Sequence, residues 1–371
     1  MPRPDGRPLL RTAFDDADTE ILSRFVLRVK SDDEGAVPSD WQAKIDAADA
    51  SFVSDDDGML WRSQPGLANG MIGTAMSSSD LFLSGVYSNR SRVSITTELP
   101  GVRLRSAGLK MQGALLDLRE ATYTRRYTFA DGACRAAVEQ RWYASRAAPS
   151  LFVMEVAVRV PCGCAWHRNI SLPLSINATS HVRASDGMGT ANMTSHKTSD
   201  GARVSVGSAS QPEGANAPVL ITVVSTALPQ TIEVPTTVGC AANFSRRFVL
   251  AVRSSKSRPG GSGSVLDAAT RDYKAAMRAG ANELHDSHKA AWAELWRSGI
   301  EIGGRREAAL VTNTSLCGSL ELKIDCDKGL SELSRVCSYW VLSSLRSDWP
   351  YSCCGSGLYN NGWNGVAFWD W

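Results

Sequence analysis

The chain has 371 residues, enough for two domains or one large one, with 43% hydrophobic and 21% charged residues, both ordinary for a globular protein. Its formal charge is +2 and its Lys and Arg residues are spread, so nothing electrostatic argues for a nucleic-acid partner. No apolar run reaches the roughly 18 residues of a membrane span. Nine cysteines contain no CxxC pair. Cys162 and Cys164 are one residue apart and Cys353 and Cys354 are adjacent, spacings that match no zinc site, so mostly reduced thiols are the plain reading.

Residues 1–50 are polar and acidic, with one apolar patch at 21–29, and read as a loosely attached arm. The first residues lack the apolar core of a signal peptide. Over 51–258 the pattern becomes short β-branched or alternating runs divided by Gly, Pro, Asn and Asp. These include 81–87, 92–97, 121–129, 136–143, 150–160, 170–176, 219–225 and 247–253. Strands at this density without intervening helices predict a large antiparallel β-sandwich. The Ser/Gly-rich stretch 254–264 reads as a flexible linker; its glycines are followed by no Lys-Ser/Thr and form no phosphate loop.

Helical periodicity then runs over 265–298, within a helical linker placed at 264–300, and Gly299 ends it. Residues 301–327 are irregular. A second helix is predicted over 328–346, with Leu330, Leu333, Val336, Cys337, Trp340, Val341, Ser344 and Leu345 on one face and Asp327 as N-cap. Pro350 stops it. The last seventeen residues, 355–371, hold four glycines, three asparagines, five aromatics and one acid, and end at Trp371. Gly and Asn permit tight turns, and an acid beside a Trp suits a sugar: the C–H face stacks on the ring and the hydroxyls bond the carboxylate.

Several features have plain structural readings. Arg125-Arg126, Arg246-Arg247 and Arg305-Arg306 read as solvated positions, and Glu139, Glu155 and Glu294 as isolated structural acids. His285 and His288, one helical turn apart, could share a metal, but no third ligand is near in sequence and a partly exposed linker face is the better reading. Asp55-Asp56-Asp57 fails the EF-hand spacing and reads as a turn. Six of the twelve asparagines (Asn89, Asn169, Asn177, Asn192, Asn243 and Asn313) stand in N-x-S/T sequons, a density that hints at a secretory or lumenal setting. It conflicts with the reduced-thiol reading, and the compartment stays open.

Taken together, these pieces resemble the glycoside hydrolase family of trehalases, maltose and kojibiose phosphorylases and hydroxylysine-linked glucosidases. The resemblance rests on the Gly-Asn-Gly-type turn at 66–74, the strand ending Ser84-Gly85-Val86-Tyr87, and Leu116-Asp117-Leu118-Arg119. It extends to Gln140–Arg146, His288–Trp296, Glu332–Leu345 and the terminal Phe368-Trp369-Asp370. The glucosylgalactosyl-hydroxylysine glucosidase branch looks nearest. The resemblance implies an N-terminal super-sandwich, a helical linker and an (α/α)6 barrel, of which 328–371 would be the truncated start. It also implies inverting attack at a glucosidic bond without cofactor or metal, on a carbohydrate substrate. Such attack needs two carboxyls roughly 6.5–9.5 Å apart. In the family both lie well past the Phe-Trp-Asp motif, which here places them beyond Trp371. No catalytic residue is therefore assigned, and these residues alone are expected to be inactive. Trp369 would flank the sugar and Asp370 accept its hydroxyls. The sequence departs from the family at Val366, where relatives carry a histidine. A non-catalytic carbohydrate-binding sandwich and a disaccharide phosphorylase are the alternatives.

Overall fold

The computed structural model describes residues 39–46, 50–53, 66–88, 91–161, 169–176, 191–209, 218–236, 242–257, 264–280, 282–297, 339, 342–344 and 346–348. In chain order the elements begin with α1 (Ser39–Asp46), β1 (Ala50–Val53), β2 (Gly66–Ala68), β3 (Ile72–Ala75), β4 (Asp80–Ser88), β5 (Ser91–Thr96) and β6 (Val102–Leu104). There follow β7 (Leu109–Asp117), β8 (Thr122–Asp131), β9 (Cys134–Ala144), β10 (Leu151–Val160), β11 (Ile170–Ile176) and β12 (Ala191–Lys197). The last are β13 (Ala202–Ala209), β14 (Leu220–Thr226), β15 (Thr231–Val234), β16 (Ala242–Ser254), α2 (Val265–Arg278) and α3 (Glu283–Leu295).

Nine strands form one sheet in the order β1-β7-β8-β9-β10-β16-β14-β13-β12. Strands β2-β3-β4-β5 form a second sheet and β15-β11-β6 a third. The pairings are antiparallel. One apolar cluster joins all three sheets: Leu67, Ile72, Leu81 and Leu83 meet Val102, Leu172 and Ile232, and both groups meet Trp142, Phe152, Met154 and Phe248 of the large sheet. The predicted antiparallel sandwich is present. The strands β1, β2, β3, β6, β7, β12, β13 and β15 have no counterpart among the runs singled out in the sequence; most are short or interrupted by Gly and polar residues, which weakens a period-two signal.

Strand β10 shows why its sequence reads as a continuous apolar run. Phe152, Met154, Val156 and Val158 enter the main core, while Leu151 and Val153 enter a second cluster with Val249, Ala251 and the α2 residues Ala269, Tyr273 and Ala276. The strand is covered on both faces, so alternation disappears. Helix α2 starts at Ser264, whose hydroxyl accepts the Asp267 N–H at 3.0 Å.

The helix predicted over 265–298 is two helices. The guanidinium of Arg247 donates to the carbonyls of Ala276 (3.0 Å), Ala279 (3.1 Å) and Gly280 (2.7 Å). It thereby satisfies groups that a continuing helix would bond internally. The Glu283 carboxylate accepts the Gly280 N–H at 2.8 Å as α3 begins. Within the polar stretch expected to be an arm, 39–46 is a helix tied to the sheet. Trp41 is buried under the Arg126 guanidinium, and Asp40 receives two hydrogen bonds from Arg126, at 2.9 and 2.8 Å.

Candidate functional site

Trp369 and Asp370, the residues assigned to a sugar, lie outside the described residues. So does Trp371, the residue beyond which the acid and base are expected, and so do Asn360, Asn361, Asp55–Asp57 and Arg305-Arg306. Most of the helix predicted at 328–346 also lies outside them; of it, Tyr339, Leu342–Ser344 and Arg346 are described, and all but Arg346 are helical. These residues show where that stretch meets the sandwich.

The meeting place is built on the turn between β2 and β3. Gly70 takes φ 85°, a left-handed conformation that glycine adopts freely. Asn69 beside it is fully buried. Its Oδ1 accepts the N–H groups of Met71 and Ile72, both at 2.9 Å, and its Nδ2 donates to the carbonyls of Ser145 (2.8 Å) and Pro149 (3.0 Å). The turn is thus locked to the corner between β9 and β10. The Asn69 carbonyl then accepts Arg146 at 2.8 Å and Arg346 at 3.5 Å. Arg146 also donates to the Leu342 carbonyl (3.0 Å), Arg346 to the Arg146 carbonyl (2.8 Å), and the buried Tyr339 hydroxyl to the Gly66 carbonyl (2.7 Å). Burial first, and the Arg346 charge second, bring Arg146 down to about 10. Burial pushes the Tyr339 hydroxyl up, so it stays a neutral donor. Asp348 pairs with Arg346 at 2.7 Å, and that bond holds its carboxyl below the usual range.

Beside this seat, α3 lays His285, His288 and Trp292 against the large sheet, all buried. The reading of the two histidines as a partly exposed face is corrected here. His288 Nδ1 accepts the Arg146 N–H at 3.1 Å, so its Nε2 carries the proton and donates to the Glu120 carbonyl at 2.7 Å. That carbonyl is presented by the β7–β8 turn, where Asp117 accepts the Glu120 N–H (2.8 Å) and Ala121 adopts φ 48°. His285 Nδ1 faces the Arg141 guanidinium at 3.1 Å and therefore accepts, leaving Nε2–H for the Thr122 hydroxyl at 3.4 Å. Both rings are fixed as neutral tautomers. Burial lowers both, His288 to about 4, and Arg141 adds to the effect on His285. Among the described residues no group of three His, Cys, Asp or Glu side chains could hold a metal ion.

Glu155 is not isolated either. Buried in β10, it accepts Arg141 at 3.0 Å and Arg247 at 2.9 Å, with the Tyr143 hydroxyl at 3.5 Å. Burial and the neighbouring Glu155 charge push the Tyr143 phenol up. Of the arginines read as solvated, Arg125 is 1% exposed and lies over Tyr123 and Trp142, and Arg247 is the linchpin between Glu155 and α2. The partners of Arg247, and Trp142 over which Arg125 lies, belong to other strands and helices, so local sequence gives little sign of either role. Glu139 pairs with Arg126 and Glu294 with Arg297 at the surface. Every described carboxylate near the seat is thus engaged structurally, and what the arrangement does is hold the 339–348 stretch, after which the aromatic tail follows in sequence.

The fold and this seat place the chain among large β-sandwich proteins with helices packed on one sheet. A family model described as "Uncharacterized conserved protein (DUF2152)" matches residues 30–317, and the chain belongs to that family. It is 23% identical over 352 residues to protein-glucosylgalactosylhydroxylysine glucosidase of Dictyostelium discoideum, a match covering 90% of this chain and 43% of that relative's length. The resemblance read from the motifs therefore holds over most of the sequence. A solved structure described as a putative kojibiose phosphorylase from human microbiome matches with a TM-score of 0.49 and 11% identity, covering 79% of this chain and 41% of that one. Among the described residues no helix is long and apolar enough to cross a membrane.

Proposed function

We propose that this chain provides the sandwich, linker and first sugar-binding wall of an inverting glycoside hydrolase acting on an α-glucoside of the glucosylgalactosyl-hydroxylysine or trehalose-like class. The observation that carries this reading is the similarity to a glucosylgalactosylhydroxylysine glucosidase across 90% of the chain. In this reading residues 51–258 form the sandwich, 264–300 the linker, and 328–371 the start of an (α/α)6 barrel. Trp369 stacks on a glucosyl ring and Asp370 accepts its hydroxyls. In the family that the motifs resemble, the general acid and base follow the Phe368-Trp369-Asp370 motif in sequence.

The contacts at Asn69, Arg146 and Tyr339 are consistent with this arrangement: they join the sandwich to Leu342 and Tyr339, which precede the aromatic tail in sequence. Titrating the chain with glucose and with galactose, by intrinsic tryptophan fluorescence, tests the proposal. Glucose binding that is lost in Trp369→Ala and Asp370→Asn supports it. Absence of glucose binding, or binding unchanged in both variants, sinks it. Release of glucose from glucosylgalactosyl-hydroxylysine by these residues alone would contradict the placement of the acid and base. A disaccharide phosphorylase is the second reading, because it shares the resemblance; it predicts that glucosyl transfer depends on inorganic phosphate.

A further inference from the structure

Three sequons lie among the described residues, and all three adopt one arrangement. Asn169-Ile170-Ser171 opens β11, Asn192-Met193-Thr194 opens β12 and Asn243-Phe244-Ser245 opens β16. In each, the middle residue points inward: Ile170 is buried, and Met193 and Phe244 pack against the main core. Side chains alternate along a strand, so the flanking Asn and Ser or Thr face out together, and all six are exposed. Asn69, which is in no sequon, is instead fully buried and commits both ends of its amide to backbone groups. Asn169 contacts the Thr236 N–H through Oδ1 at 3.4 Å, and not through the Nδ2 that would carry a sugar.

We infer that Asn169, Asn192 and Asn243 are N-glycosylation acceptors. The co-reactant is a lipid-linked pyrophosphoryl oligosaccharide. A bond forms between Asn Nδ2 and the anomeric carbon, and the bond from that carbon to the phosphate oxygen breaks. The lipid pyrophosphate leaves with the electron pair, and a base of the transferase takes the amide proton. A modified sequon at each of these positions leaves the core undisturbed, since only the central residue enters it. At Asn192 a glycan also lies on β12, the last strand in the order of the nine-stranded sheet. This inference is independent of the glucoside reading.

The test uses the chain isolated from its own cells. Treatment with peptide-N-glycosidase in heavy-oxygen water converts a glycosylated Asn to labelled Asp, read by peptide mass spectrometry. Labelled Asp at two or three of positions 169, 192 and 243 supports the inference; label at one or none overturns it. Ser171→Ala, Thr194→Ala and Ser245→Ala keep the Asn and alter an outward side chain, the first two with loss of an exposed hydrogen bond to Glu233 and to the Val206 carbonyl. Each is expected to remove one glycan step in gel mobility. A step that survives loss of its hydroxyl overturns the assignment at that site.

Discussion

The two faces of the nine-stranded sheet are buried by different means. One face meets the smaller sheets through a mainly apolar interior of Trp142, Phe152, Met154, Phe248 and Leu250, in which the buried cation of Arg125 is laid over Tyr123 and Trp142. The other face lies under α2 and α3, where an apolar patch around Tyr273 gives way to Glu155, Arg141, Arg247, His285 and His288. The apolar face depends on volume and shape, which several side chains can supply. The polar face depends on pairing, since a buried charge that loses its partner has no water to replace it.

The sharpest way to break this contrast is to remove one charge. Glu155→Leu leaves Arg141 and Arg247 without the carboxylate they share and is expected to cost about 3–5 kcal/mol in urea unfolding. Leu250→Met, on the apolar face, is expected to cost less than about 1.5 kcal/mol. Equal losses would show that the two faces are not governed by different rules.

The pH dependence should be next in size. His288 has an ordinary value of 6.5 and is held to about 4 in the folded chain. Between these values the unfolded chain binds a proton that the folded chain excludes, so stability falls as pH drops from about 6.5 to 4. Protonating Nδ1 would set its new N–H against the Arg146 N–H. The contribution is about 3 kcal/mol or less for this residue, and His285 acts in the same direction. In His288→Gln the slope of unfolding free energy against pH over that interval should flatten. An unchanged slope would place the titration elsewhere.

The smallest effect is expected at Glu294, whose pair with Arg297 is exposed. Glu294→Ala should alter stability by no more than about 0.5 kcal/mol. A larger loss would mean that α3 depends on its outer surface as well as on His285, His288 and Trp292.

Much of the architecture was legible because it rests on local pattern. The runs 150–160 and 247–253 are apolar enough to read as central strands, and they pair in the large sheet as β10 and β16. The turn at 66–74 was visible through Asn69 and Gly70. The break between α2 and α3 was not, because the cation that takes over the helix carbonyls, Arg247, lies on β16, 29 to 33 residues before them in sequence. The histidines were misjudged for a similar reason. Spacing placed His285 and His288 on one helix face, but only the approach of Arg146, Glu120, Thr122 and Arg141 determines that the face is inward and the rings neutral.

The sequence by itself determined the β-rich class, the positions of the main strands and the family resemblance, because period-two patterning and short motifs are properties of neighbouring residues. It also supplied the Trp369 and Asp370 assignment and the expectation of an acid and base beyond Trp371, which rest on that resemblance alone. Tertiary structure decided which charges are buried and by what they are paired. Glu155, Arg125 and Arg247 look like ordinary strand residues in sequence, and they became structural centres only when distant strands and helices removed their water and supplied partners.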